Sequence, residues 1–235
     1  MADFTNISRS HNYMIGNQIF ILGDIDSENT YELLGRLAAF VDNMQPVDIA
    51  ADSSISVVNP YHINDEMPTA SNNITSDSVI NPYKIDTTPV IDIYISSPGG
   101  SMYSTNSIIS LLNIARSKGA KIRTTIMGRA ESAASVIAVQ GDRGLRIINE
   151  NAFHFIHYGT IHNINNSEPS AAANRIHSDY LLNQTKQTYL AHTNLTQKQI
   201  NKMMQAETGF IYPQDCLKYG LADWILTRQG KFITR

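Results

Sequence analysis

Ser132 stands in Gly128-Arg129-Ala130-Glu131-Ser132-Ala133-Ala134, a serine set among small residues, and His157 follows 25 positions later in Phe155-Ile156-His157-Tyr158-Gly159. A serine hydroxyl becomes a nucleophile only when a base takes its proton, so the two residue types together supply the parts of a covalent acyl transfer. That chemistry also needs donors for the charge developing on a carbonyl oxygen, and Ser97-Pro98-Gly99-Gly100 offers glycines through which backbone N–H groups come close. Seven histidines compete for the role of base. His11 and His62 lie in loop-like sequence, and His177 and His192 fall in a long helical stretch. His154 and His157 are separated by an odd offset, which turns them to opposite faces of a strand and argues against one shared metal. No His-Glu-x-x-His pattern is present. Taken alone, Ser132 reads better as a helix N-cap, Gly99-Gly100 as an ordinary turn, and a lone histidine as packing.

The elements around these residues place them at the carboxyl ends of strands. Residues 18–22 form a short apolar run closed by Gly23-Asp24, a buried strand and its turn. From Ser27, read as the N-cap, Tyr31, Leu34, Leu37, Ala38 and Val41 recur at helical spacing. Residues 90–95 form a second apolar strand ending at the Ser96–Gly100 turn. Ile108, Leu111, Leu112 and Ala115 then mark a helix that stops near Lys118-Gly119. A strand over 122–127 leads to a turn at Gly128-Arg129 and a small-residue helix over 132–140, with strands near 145–148 and 152–156. A long helix over about 170–192 is expected to project, and another begins after Thr196. Residues 213–219 read as a helix, 222–226 as a strand and Gln229-Gly230 as a turn. Alternating strands and helices specify an α/β fold on a largely parallel sheet. In such sheets, sites form beyond the carboxyl ends of strands, where both the Gly99-Gly100 and Ser132 turns fall.

Between about 46 and 88 the pattern breaks into serine, asparagine, aspartate, threonine and proline. The chain reads as a single domain over 1–235 carrying this polar insertion. Within it, residues 58–64 and 80–86 resemble each other, but two copies are too few for a solenoid.

A net charge of −3 provides no basic surface for nucleic acid. No apolar run approaches the roughly 20 residues of a membrane span. One cysteine, Cys216, excludes an internal disulfide, and no basic-then-apolar leader opens the sequence, so a cytoplasmic setting is expected. The tripeptides beginning at Asn6 and Asn73 match glycan acceptors but are discounted without a leader. Arg116, Lys118, Lys121, Arg123 and Arg129 read as a solvated basic face, Cys216 as packing, and Tyr94 and Trp224 as core or subunit contacts.

The ordered blocks IDIYISSPGG (91–100), IMGRAES (126–132), FIHYG (155–159) and YGLADWIL (219–226), with IFILGDI (19–25), resemble the proteolytic subunit of Clp ATP-dependent proteases, ClpP. The resemblance runs from about residue 18 to 226, leaving out 46–88. It implies a ClpP/crotonase-like fold of repeated β-β-α units in a superhelix, with a projecting handle helix. It implies a serine endopeptidase in which Ser132 attacks, His157 moves the proton, and the backbone amides of Gly100 and Ala133 hold the oxyanion. No cofactor and no metal are implied. The partners implied are unfolded polypeptide substrates, further copies forming heptameric rings stacked in pairs, and an ATPase unfoldase.

The sequence also departs from the family. The usual catalytic aspartate falls on Thr208, with Glu207 beside it, so the third member of the triad is open between these two. Ala133 replaces the usual methionine, and Glu131 replaces a small neutral residue, either acting on His157 or facing solvent. Two alternatives follow: a weakly active structural or regulatory ring subunit, and a crotonase-like acyl-CoA enzyme with an oxyanion hole but no Ser–His pair.

Overall fold

The computed structural model of the chain describes residues 12–45, 89–159, 168–205 and 209–235. The polar insertion, both asparagine tripeptides, and Glu207 and Thr208 lie outside the described residues.

Two strands, β1 (Asn12–Ile15) and β2 (Gln18–Ile21), form an antiparallel hairpin around Gly16, whose φ of 58° suits a residue without a Cβ. Helix α1 (Ser27–Asn43) follows. Its N-cap is Asp26, not Ser27: the Asp26 Oδ1 accepts from the Asn29 amide at 2.6 Å. The buried stripe of α1 is Thr30, Leu33, Leu37 and Val41. Leu37 and Val41 are buried as expected, whereas Tyr31 is 81% exposed and Thr30 and Leu33 are buried instead of Tyr31 and Leu34.

Strand β3 (Val90–Ser97) lies parallel to β2, and helix α2 (Met102–Ser117) returns from it to β4 (Lys121–Glu131). The expected α2 is borne out: Ile108, Leu112 and Ala115 are buried, Ser101 caps the start, and Gly119 closes the end at a φ of 93°. The chain continues through α3 (Ala133–Ala138), β5 (Arg146–Asn149), β6 (Phe153–Phe155), α4 (Glu168–His192), α5 (Gln197–Gln205), β7 (Phe210–Ile211), α6 (Pro213–Tyr219), β8 (Trp224–Leu226) and β9 (Phe232–Ile233). Helix α5 opens on a capping box, in which Thr196 Oγ1 accepts from the Gln199 amide and Gln199 Oε1 from the Thr196 amide.

Among the described residues one sheet runs β1-β2-β3-β4-β5-β8-β9, with β6 and β7 joined beside the end of β4. The interior pairs are parallel and the terminal hairpins antiparallel, so the expected α/β architecture is borne out. Ile91, Ile93 and Ile95 point from β3 into the helical layer, and each contributes about 1.5–3 kcal/mol by burial. On the opposite face Tyr13, Phe20 and Tyr94 stack across three strands, with ring centroids 4.8 and 5.2 Å apart. Tyr94 therefore belongs to sheet packing.

The basic residues do not form one solvated face. Arg123 is 7% exposed, and its Nε meets Asp92 Oδ1 at 2.5 Å, two residues along the strands from the aromatic row. Lys118 Nζ donates to the Val41 carbonyl at 2.7 Å and ties α2 to α1, while Arg116 pairs with Asp142. Arg146, beyond that set, forms a two-pronged contact with Asp223 and also donates to the Gly220 carbonyl at 2.7 Å, locking β5 to the chain after α6. Helix α4 is exposed or half-exposed through most of residues 171–188 and buries Tyr189 near its end. No helix among the described residues is long and apolar enough to cross a membrane.

Candidate active site

Strand β4 is where the site begins. The sequence reading places a turn at Gly128-Arg129, but the strand continues to Glu131. Ile95 pairs with Ile126 whereas Ser97 pairs with Ala130, so β4 carries extra residues at this point and bulges. A Cβ at Gly128 would stand 3.0 Å from Ser96 Oγ, which explains a glycine in the bulge. Below the bulge β4 pairs with β5; above it, Arg129, Ala130 and Glu131 pair with Phe153, His154 and Phe155 of β6. The bulge thus forks the sheet and delivers the chain to Ser132 beside β6.

Ser132 occupies the N-cap position of α3 but does not act as a cap. Its side chain makes no capping bond, and its φ of 53° and ψ of −121° lie far from the extended conformation of an N-cap. It is the one non-glycine residue with positive φ among the described residues. Strain of this kind costs roughly 1–3 kcal/mol and persists only where surrounding contacts enforce it. Those contacts are visible. The Ser132 amide donates to the Phe155 carbonyl at 2.8 Å, and the Ser132 carbonyl accepts from the Ser135 amide at 3.0 Å. The hydroxyl is left half-exposed at the sharp end of a strand, the geometry by which a strand-to-helix turn presents a nucleophile.

Gly99 closes the other side. A Cβ there would stand 2.5 Å from the Glu131 carbonyl oxygen, 2.8 Å from Ser132 Cβ and 2.9 Å from the Ala133 nitrogen, at a φ of +94°. Gly100 is held against Ile25, whose amide donates to the Gly99 carbonyl at 2.8 Å and whose carbonyl accepts from Ser101 at 2.5 Å. These bonds use the groups on either side of the Gly100 amide. Among the described residues neither the Gly100 nor the Ala133 N–H has an acceptor. The structure therefore brings Gly99, Gly100, Ser132 and Ala133 together.

His157 lies two residues beyond the Phe155 carbonyl that holds Ser132. Its ring stacks on Phe155 at 5.1 Å, and Phe155 packs on Phe210 at 4.6 Å, so an aromatic file fixes the imidazole on the half-exposed face of β6. Among the described residues no hydrogen bond joins Ser132 Oγ to His157. Catalytic contacts are often long before substrate arrives. The residues flanking His157 are both anchored to the α5–β7 connection: the Ile156 amide donates to the Gly209 carbonyl and the Tyr158 amide to the Met204 carbonyl, each at 3.1 Å. A Cβ at Gly209 would collide with the Ile156 carbonyl, so a glycine is required there. Glu207 and Thr208 belong to the connection between those two anchors. Glu131 faces the surface, where it pairs with Arg129 at 3.1 Å.

A second serine and histidine, Ser135 and His154, escaped the sequence reading as a pair. Their side chains meet at 2.8 Å, but both are fully buried, so this pair does not face substrate. Burial holds the His154 imidazole neutral, with its pKa pushed down to about 3, and the Arg146 charge acts in the same direction. Cys216 is buried in α6, its thiol donating to the Ile211 carbonyl at 3.3 Å and pushed up to about 12 by burial; it packs and is not reactive. Trp224 caps β8 by donating from Nε1 to the Gly144 carbonyl at 2.8 Å.

Comparison with known proteins places this arrangement. The family model described as Clp protease matches residues 62–229, beginning inside the segment read as an insertion. The chain is 30% identical over 140 residues to the ATP-dependent Clp protease proteolytic subunit 2 of Leifsonia xyli, a match covering 58% of this chain and 60% of that protein. It is 29% identical over 143 residues to the ATP-dependent Clp protease proteolytic subunit of Deinococcus radiodurans, covering 60% of this chain and 68% of that one. For the corresponding subunit of Streptococcus mutans the figures are 33% over 147 residues, 60% and 70%. The matches thus reach only about 60 to 70% of the relatives' length. Because the family match spans well over half of the 235 residues and includes Ser132 and His157, the chain belongs to the Clp protease family.

Proposed function

We propose that this chain is a Clp-type serine endopeptidase subunit, in which Ser132 is the nucleophile and His157 the general base. The observation that carries the reading is the enforced backbone of Ser132, held at positive φ between the Phe155 carbonyl and the Gly99 turn while its hydroxyl makes no capping bond. In this mechanism Ser132 Oγ attacks a peptide carbonyl carbon as His157 takes its proton. The carbonyl π electrons move onto oxygen, and the Gly100 and Ala133 amides receive that charge. One such donor lowers the barrier by about 3 kcal/mol. Collapse of the tetrahedral intermediate breaks the C–N bond, His157 returns the proton to the leaving amine, and water then hydrolyses the acyl-serine by the same steps.

Glu207 and Thr208 are the candidates for orienting the second imidazole nitrogen, since the chain on either side of them is bonded to the residues flanking His157. Family membership and the exposed length of α4 support a ring assembly in which this helix joins two heptamers around a closed chamber, built on a ClpP/crotonase-like superhelix of β-β-α units. Unfolded polypeptides delivered by an ATPase in the cytoplasm are the corresponding substrates. Threonine in place of an aspartate at 208 favours a second reading, a ring subunit with a structural or regulatory role and little turnover. The deciding experiment is cleavage of an unfolded protein and of a short fluorogenic peptide by the assembled chain and by Ser132→Ala. Cleavage abolished by the substitution supports the endopeptidase. Equal signals from both proteins, or none from either, overturn it.

A further inference from the structure

Three buried side chains from separate elements meet behind the start of α3. Tyr189 Oη donates to Ser135 Oγ at 2.9 Å, and Ser135 Oγ lies 2.8 Å from His154 Nδ1. With the tyrosine proton directed at Ser135, the serine proton goes to Nδ1, which makes His154 the tautomer protonated on Nε2. Among the described residues Nε2 has no hydrogen-bond partner. A buried polar group held without full satisfaction asks for a reason, and core packing would be served as well by an apolar side chain.

The reason lies in what the trio spans. Ser135 begins the first turn after Ser132, its amide on the Ser132 carbonyl at 3.0 Å. His154 immediately precedes Phe155, whose carbonyl holds the Ser132 amide at 2.8 Å. The side-chain bond from Ser135 to His154 therefore closes a small ring of contacts around Ser132, and three residues after His154 comes His157. Tyr189 brings α4 into the same ring near its carboxyl end. An apolar substitute would fill the volume without fixing the separation of α3 from β6.

We infer that Ser135, His154 and Tyr189 are positioning residues, which set the approach of Ser132 to His157 and tie that geometry to the base of α4. The inference rests on the peptidase reading above. A displacement near 1 Å at a reacting centre can cost about 100-fold in rate, so even partial loosening of this ring is measurable.

The test compares His154→Leu, which deletes the acceptor, with His154→Asn, whose Oδ1 accepts near the Nδ1 position and which removes the orphaned Nε2–H. Tyr189→Phe keeps the ring and deletes the donor. In the assembled protein, His154→Leu and Tyr189→Phe are expected to lower kcat for a short fluorogenic peptide about tenfold with KM within about twofold, and His154→Asn to restore most of it. Amide exchange at Ser132 is expected to accelerate in His154→Leu and to stay at the parent rate in His154→Asn. Parent-like kcat and parent-like exchange in His154→Leu and Tyr189→Phe overturn the inference; if His154→Leu does not fold, Tyr189→Phe decides alone. A parent chain with no turnover removes the peptidase reading instead, and Ser132 amide exchange then still judges the positioning role.

Discussion

The amide of Ser132 donates to the carbonyl of Phe155 at 2.8 Å, joining the last residue before α3 to the strand that leads into His157. This bond extends the β4–β6 ladder one residue past Glu131, where the sheet has already forked at the Gly128 bulge. Ser132 therefore follows the carboxyl end of β4 and His157 lies two residues beyond the carboxyl end of the adjacent parallel β6.

Gly99 packs directly against that arrangement. Gly99→Ala would push a methyl group into the Ser132 and Ala133 backbone, at a φ that side chains rarely adopt. The expected outcome is a chain that loses about 100-fold in kcat, because Ser132 and the Ala133 amide are displaced. It should also lose roughly 1–3 kcal/mol of stability. Peptide kinetics together with urea unfolding check both.

The strain at Ser132 separates two substitutions of that residue. Ser132→Ala keeps a Cβ at a φ of 53°, whereas Ser132→Gly releases it. Both remove the hydroxyl. The glycine variant is expected to be about 1 kcal/mol more stable than the alanine variant, the reverse of the order inside a helix. Denaturant midpoints of the pair measure it.

Much of the frame around this site is written in the sequence. The isoleucines of β3, the small residues of α3 and the Gly-terminated α2 each announce their element through periodicity or a local signal. What escaped has a physical reason in each case. The bulge places Met127, Gly128 and Arg129 against the single residue Ser96, and Gly128-Arg129 looks the same in a bulge as in a turn. Asp26 caps α1 in place of Ser27 because the two are equally good caps side by side. Arg123 reads as solvated until Asp92 is seen opposite it across two strands. Ser135, His154 and Tyr189 carry no signal because they are 19 and 35 residues apart and meet only through tertiary packing.

Arg123 and Asp92 illustrate the cost of that buried pairing. Asp92→Ala leaves a guanidinium in a site where it is 7% exposed, and a loss of about 3–5 kcal/mol is expected. The double replacement Asp92→Leu with Arg123→Met should recover most of it, since no charge then remains buried. Equilibrium unfolding of the single and double variants checks the difference.

Acid weakens the fold through buried His154 and half-buried His192. His192 is pushed down to about 4 by burial, with the Arg116 and Arg146 charges adding to it, and His154 to about 3. The unfolded chain takes up these protons near pH 6.5 and the folded chain does not, so stability is full above that value and falls as pH drops toward 4. Each histidine contributes a slope of about 1.4 kcal/mol per pH unit in this window. Urea midpoints between pH 7.5 and 5 are expected to fall, and His192→Gln to make the fall shallower.

The account stands most directly on the reactivity of one hydroxyl. Treating the assembled protein with a fluorophosphonate and mapping the adduct by mass spectrometry should place it on Ser132, with none on buried Ser135 and none in a His157→Ala variant. An unlabelled protein, or an adduct on any other serine, would contradict the assignment.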